Sequence, residues 1–213
     1  KKNRIQKFAG KSWNTLIPYA VGEPDSIRWE GNFPGGGKTF PHVLPTLVSD
    51  KNYTDAFLVS PYSIDYLFTG AREMILREKL GKDNAPDILS IAVSTTDYVG
   101  HVFGPDSREL QELYIHADRL LGEFIDYLDG KVGREHYVMV ITSDHGVGPI
   151  PEAAREVGRE KIDAGRLSKD KVKAKMNKYL QKFLPEGSKD TILQGIELPS
   201  VFLNRQTIEK YGI

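Results

Sequence analysis

The sequence predicts an α/β chain: a mainly parallel sheet flanked by helices, preceded by a loop-rich N-terminal lobe. Residues 87–93 (DILSIAV) and 137–142 (YVMVIT) are apolar runs rich in branched side chains, too short for independent helices and of the right length for buried strands. Between them, DSRELQELYIHADRLLGEFIDYLDG places Leu110, Leu113, Ala117, Leu120, Leu121, Phe124, Ile125 and Leu128 on one helical stripe. Strand, long helix, strand is a βαβ unit, whose right-handed crossover makes the two strands parallel.

Taken in order, residues 1–59 carry short apolar stretches broken by GEPDS, GNFPGGGK and FPHVLP, with both tryptophans, Trp13 and Trp29. This reads as an accessory lobe held by loops. Residues 60–150 read as the α/β core. Its first helix spans 63–80, with Ser63 as cap, Ile64, Leu67, Phe68, Ala71, Ile75 and Leu76 at helical spacing, and Gly81 as terminator. The second is capped by Asp106 or Ser107 and ended by Gly130. Residues 151–213 read as a helical and mixed extension. There SKDKVKAKMNKYLQKFL forms an amphipathic helix with a solvated lysine face, and LPSVFLN forms one more strand.

Composition narrows the function. The 213 residues are 39% hydrophobic, enough for one sizeable core or a core plus a smaller lobe. Basic and acidic side chains balance at 29 each, so there is no basic footprint for nucleic acid and no polybasic membrane anchor. With no cysteine, disulfide frameworks, thiolate metal sites and thiol nucleophiles are excluded. The apolar runs fall short of the roughly 20 residues that span a bilayer. The chain opens on KKNRIQKFAG, without methionine or signal-peptide pattern, and stops abruptly at RQTIEKYGI, so the expectation is a central fragment of a longer protein.

Both predicted strands end in polar turns. After the first come Asp97 and, four residues on, His101; after the second come Asp144 and His145, followed by Gly146 and Gly148. Parallel strands bring these four residues to one rim, the carboxyl edge where open α/β sheets bind ligands. A tight turn at Gly100 would aim Asp97 and His101 at one ion, and the glycines after His145 would let adjacent side chains converge, which a regular strand forbids. A single such pair is commonly a helix cap with a satisfied histidine. Two pairs at equivalent strand ends point instead to oxygen and nitrogen ligands for zinc, with manganese or iron as weaker fits. His42, His116 and His136 have no carboxylate in a matching context and read as structural or surface residues. GGGKT (35–39) is no phosphate-binding loop: Asn32 occupies the position of the required first glycine, and no buried strand precedes it. No Gly-x-Ser-x-Gly nucleophile motif occurs.

The stretch STTDYVGHVFGPDS, the helix after it, and ITSDHG resemble the alkaline phosphatase superfamily. The likeness is to its type I phosphodiesterase/nucleotide pyrophosphatase branch, and most of all to the phosphate-insensitive bacterial alkaline phosphatases, whose flavour also marks WNTLIPY and SPYSIDYLFTGAREMI. The resemblance implies an alkaline-phosphatase-like core, incomplete in this chain, with two zinc ions on the sheet rim. Asp97 and His101 would bind one ion with a further histidine, and Asp144 and His145 the other with an aspartate and a threonine or serine nucleophile. It implies a phosphomonoesterase acting on small phosphorylated substrates through a phospho-enzyme, in a periplasmic or secreted protein. The nucleophile segment and the C-terminal histidine segment are not found here, and no histidine follows His145. Two ligands per ion and no catalytic nucleophile are thus expected, so the fragment should be inactive and bind zinc weakly. Alternatives are a phosphodiesterase, a sulfatase, phosphonate hydrolase or mutase of the same superfamily, and a non-catalytic phosphatase-like binding module.

Overall fold

Ile64, Phe68, Ala71 and Ile75 follow one another at steps of three or four and are all buried, forming the core stripe of a helix over Pro61–Arg77. The computed structural model describes residues 4–18, 24–157, 163–197 and 200–213. Over these the elements run β1 (Ser12–Trp13), β2 (His42–Val43), α1 (Tyr53–Leu58), α2 (Pro61–Arg77), α3 (Thr95–Phe103), α4 (Arg108–Lys131), α5 (Pro151–Val157), α6 (Lys169–Leu180), β3 (Leu193–Glu197), β4 (Ser200–Leu203) and α7 (Arg205–Tyr211). They fall into two compact units, residues 1–157 and 158–213.

In the first unit, α4 packs against α2 and α3. Phe68 of α2 meets Phe124 of α4 edge to face, with ring centroids 5.2 Å apart. The loop-rich N-terminal residues join this core: Phe8, Trp13, Phe33 and Leu44 are buried with Tyr53, Ile64, Val99, Phe103 and Leu113. Burying each such side chain contributes roughly 1.5–3 kcal/mol before conformational entropy is counted. β1 and β2 pair antiparallel, with Trp13 opposite His42.

Helix ends differ from expectation in detail. α2 begins at Pro61, a residue suited to the first helical position, with Ser60 before it. Ser63 lies inside the first turn, where its hydroxyl donates to the Ser60 carbonyl. Leu76, expected on the core stripe, is exposed, because it falls one step past Ile75 on the outer face. Ser107 is the cap of α4, its Oγ accepting from the Leu110 N–H at 3.2 Å. α4 runs through Gly130 to Lys131 and is followed by Gly133 at φ 107°, the left-handed position that a terminating glycine favours.

The two runs expected as buried parallel strands are corrected. Neither 87–93 nor 137–142 belongs to a strand, and the sheets among the described residues are the antiparallel pairs β1–β2 and β3–β4. Both runs alternate in burial with period two, as extended chain does. Leu89, Ile91, Val93, Tyr137 and Met139 rest on the core, while Ile88 is 95% and Val138 90% exposed. The physical reason is that branched apolar runs favour burial on two faces, but a ladder also needs neighbouring strands. Here the helices cover one face only.

In the second unit, Ser168 caps α6 with its Oγ toward the Lys171 N–H, and α6 buries no side chain, in keeping with its lysine face. The predicted last strand corresponds to β4, which pairs antiparallel with β3 in the register Ile196 to Val201. Its partner β3 was not expected. Among the described residues of this unit, Leu184, Ile192, Leu193 and Ile196 are the buried apolar ones.

Candidate functional site

The polar stretch after residue 93 is a helix where a turn was expected: Asp97 stands in the first turn of α3 and His101 in its last. The four-residue spacing therefore works as one helical turn, stacking the two side chains on one face without any special turn at Gly100. Asp97 Oδ1 and His101 Nε2 are 3.4 Å apart. α3 is fixed at both ends. Ser63 Oγ donates to Ser60, which leaves the buried Thr95 hydroxyl to donate to Ser63 Oγ at 2.7 Å. At the other end Gly104, with φ 102°, ends the helix, and a Cβ there would lie 2.4 Å from Ile150 Cδ1.

Asp144 and His145 lie in the segment after residue 142, which bonds to itself. The His145 N–H donates to Asp144 Oδ1 at 3.1 Å, and the Ser143 hydroxyl donates to the His145 carbonyl at 2.5 Å. The imidazole donates from Nδ1 to the Gly146 carbonyl at 3.0 Å, which turns Nε2 outward. Nε2 then faces two carboxylates, Asp144 Oδ2 at 3.8 Å and Asp97 Oδ1 at 3.9 Å. These separations are ionic approaches, too long for hydrogen bonds. The Gly146 carbonyl and then the Asp144 charge hold His145 above the ordinary imidazole pKa against desolvation, with Asp97 adding the least.

Residues 97 and 101 of one segment and 144 and 145 of another thus meet through His145. The exposed side chains converge loosely: among the described residues no group of three or more His, Asp or Glu is arranged to hold a metal ion. The donor chemistry suits a zinc-like cation, and His145 Nε2 is in the orientation a ligand needs, but the donor count falls short of the three or more of a catalytic site.

Sequence reasoning did not find the partners of two histidines, one buried and one half-buried. His42 Nε2 meets Glu109 Oε1 at 2.8 Å in the core, and His116 Nε2 meets Asp65 Oδ1 at 2.7 Å between α4 and α2. Both histidines are structural, as expected, yet each has a carboxylate partner, 67 and 51 residues away in the chain. Glu112, also fully buried, accepts from the Leu16 N–H at 2.6 Å. The one available signal was the placement of Glu109 and Glu112 beside Leu110 and Leu113 on the inner side of α4.

A family model described as type I phosphodiesterase / nucleotide pyrophosphatase matches residues 23–189. The chain belongs to this family. It is 35% identical over 76% of its length to the alkaline phosphatase PhoV of Synechococcus elongatus, covering 29% of that protein. Against the alkaline phosphatase PafA of Elizabethkingia meningoseptica it is 30% identical over 97% of its length, covering 37% of the relative. A crystal structure of wild-type alkaline phosphatase PafA superposes on 96% of this chain with a TM-score of 0.80 and 28% identity, again covering 38% of the solved chain. The fold is therefore an alkaline-phosphatase-like α/β fold, and the chain spans about a third of the length of the relatives it matches.

Proposed function

We propose that these residues form the metal-binding rim of a phosphomonoesterase that works through a covalent phospho-enzyme. Asp97 and His101 serve one zinc ion, and Asp144 and His145 serve another. The observation that carries this reading is the approach of His145 Nε2 to Asp97 at 3.9 Å, which joins two carboxylate–imidazole pairs from distant parts of the sequence. Bound zinc supplies Lewis acidity for phosphoryl oxygens and lowers the pKa of a coordinated hydroxyl. The chain's own part is to present donors: α3 stacks Asp97 over His101, and the Gly146 carbonyl fixes the tautomer of His145.

The reading assigns no nucleophile and only two donors per ion to these 213 residues, so this chain by itself is expected to release no phosphate and to bind zinc weakly. It also carries with it a periplasmic or secreted protein acting on small phosphorylated molecules. Among the described residues no helix is long and apolar enough to cross a membrane. A second reading, hydrolysis of phosphodiesters, is favoured by the description of the matching family model.

The test uses the longest natural protein containing this segment, assayed with zinc on p-nitrophenyl phosphate and bis-p-nitrophenyl phosphate. Asp97→Ala and His145→Ala should each lower kcat/KM by more than about 100-fold, since even outer-shell partners of a metal cost 10–100-fold. Unchanged turnover in both variants would remove the metal-rim reading, and faster cleavage of the diester would favour the second one.

A further inference from the structure

Asp97 and His101 ride on a helix of nine residues whose start has no cap of its own: Ser94, at the N-cap position of α3, has helical dihedrals and no side-chain bond to the first turn. A helix this short is marginal in water by itself, so its place is set by what it packs against. Its buried residues are Thr95, Val99 and Phe103, one face at steps of four. Asp97 and His101 each stand two residues on from a member of that stripe, about 200° around the helix at 3.6 residues per turn. The roll of the buried face therefore decides where the two rim side chains point.

Val99 and Phe103 fix that roll only by shape, since apolar contact is non-directional. Two hydrogen bonds supply direction. At the start of α3 the buried Thr95 hydroxyl donates to Ser63 Oγ at 2.7 Å, and Ser63 donates in turn to the carbonyl of Ser60, the N-cap of α2, at 2.9 Å. At the far end the Gly31 N–H donates to the Val102 carbonyl at 2.7 Å. The loop that carries Gly31 also holds buried Glu30 and Phe33, whose ring stacks on His42 at 4.8 Å, so this second handle is anchored in the core. Thr95 is the one polar member of the buried stripe. A valine would fill the same shape, so its oxygen matters only through the bond it makes.

We infer that Thr95, acting through Ser63, is a positioning residue: its hydroxyl sets the roll of α3 and so aims Asp97 at His145, 3.9 Å away, with His101 on the same face. The consequence for catalysis rests on the metal-rim reading above, whereas the roll itself concerns this chain alone. A donor displaced by about an ångström is enough to weaken binding and turnover.

Thr95→Val and Thr95→Ser, made in the longest natural protein containing this segment, separate aim from stability. Each is measured for zinc affinity by competition with a chromogenic chelator, for kcat on the faster of the two p-nitrophenyl substrates, and for its urea midpoint. Thr95→Val keeps the branched shape and strands no donor, because Ser63 still donates to Ser60. It should lower zinc affinity and kcat by about tenfold, the low end of what outer-shell partners of a metal cost. Thr95→Ser, which keeps the hydroxyl, should restore both. A hydroxyl that only steadies the fold would move the urea midpoint alone. Unaltered zinc affinity and kcat in Thr95→Val, or the same loss in Thr95→Ser, overturns the inference. Asp97→Ala tells the two ideas apart: if it is inactive while Thr95→Val is unimpaired, the positioning role alone falls, and if it is fully active, the metal rim falls and the positioning role with it.

Discussion

His42 and Glu109 meet at 2.8 Å with side chains 1% and 0% exposed, whereas His145 and Asp97 meet at 3.9 Å with side chains 57% and 37% exposed. Both are carboxylate–imidazole pairs, and the chemistry of the groups is the same. What separates them is solvation and aim. In the core, the imidazole is walled in by four aromatic rings and meets Glu109 Oε1, so it is closed to any ligand. On the rim, His145 is held by a backbone carbonyl on the far side of its ring, and its free nitrogen faces two carboxylates without bonding to either. Such a pair contributes little to stability and leaves its lone pairs open to a cation.

The comparison breaks first at the buried pair. Removing one partner of a buried, hydrogen-bonded pair leaves the other without compensation, so Glu109→Ala should cost the first unit about 3–5 kcal/mol in urea unfolding. A loss comparable to a surface substitution would mean that His42 and Glu109 are not coupled. Gly31→Ala tests the join between the two regions, since Gly31 follows Glu30 and touches the carbonyl of Val102 next to His101. The added methyl meets that oxygen at 2.6 Å, and the overpacking should cost about 1–3 kcal/mol. The smallest effect is expected on the rim. Asp97→Asn should leave the urea midpoint nearly unchanged and lower the His145 titration midpoint in a proton NMR series, because one of the charges that raise it is gone. The raised value means that protonated His145 favours the folded rim below its ordinary pKa, a contribution lost as the pH rises through the folded midpoint. A midpoint unmoved by Asp97→Asn would separate the two segments that the reading joins.

The four candidate residues were legible in the sequence, though not the way the fold places them, and the buried pair was not. Asp97 and His101 declare themselves by spacing, and Asp144 and His145 by adjacency and the glycines after them. These are local signals, read within five residues. His42 and Glu109 are 67 residues apart, and nothing in FPHVLP or RELQEL announces a pairing that exists only because β2 and α4 pack together. The helices were legible for the same local reason: α2 and α4 each repeat an apolar stripe, and their caps are short-range. The reading of 87–93 and 137–142 as paired strands went further than local chemistry allows. Branched residues set the period-two alternation of Leu89, Ile91 and Val93, but hydrogen-bonded pairing is decided by which other strands lie alongside.

By itself, then, the sequence determined which residue types stand at the ends of two apolar segments, where the long helices run, and that no cysteine chemistry is available. Only the tertiary structure decided that Asp97 and His101 share one helical face, that His145 turns its free nitrogen toward Asp97, and that His42 and Glu109 meet in the core. The reason is range. Periodicity and capping are written within a helical turn, whereas solvation and the approach of charges depend on groups that only packing brings together.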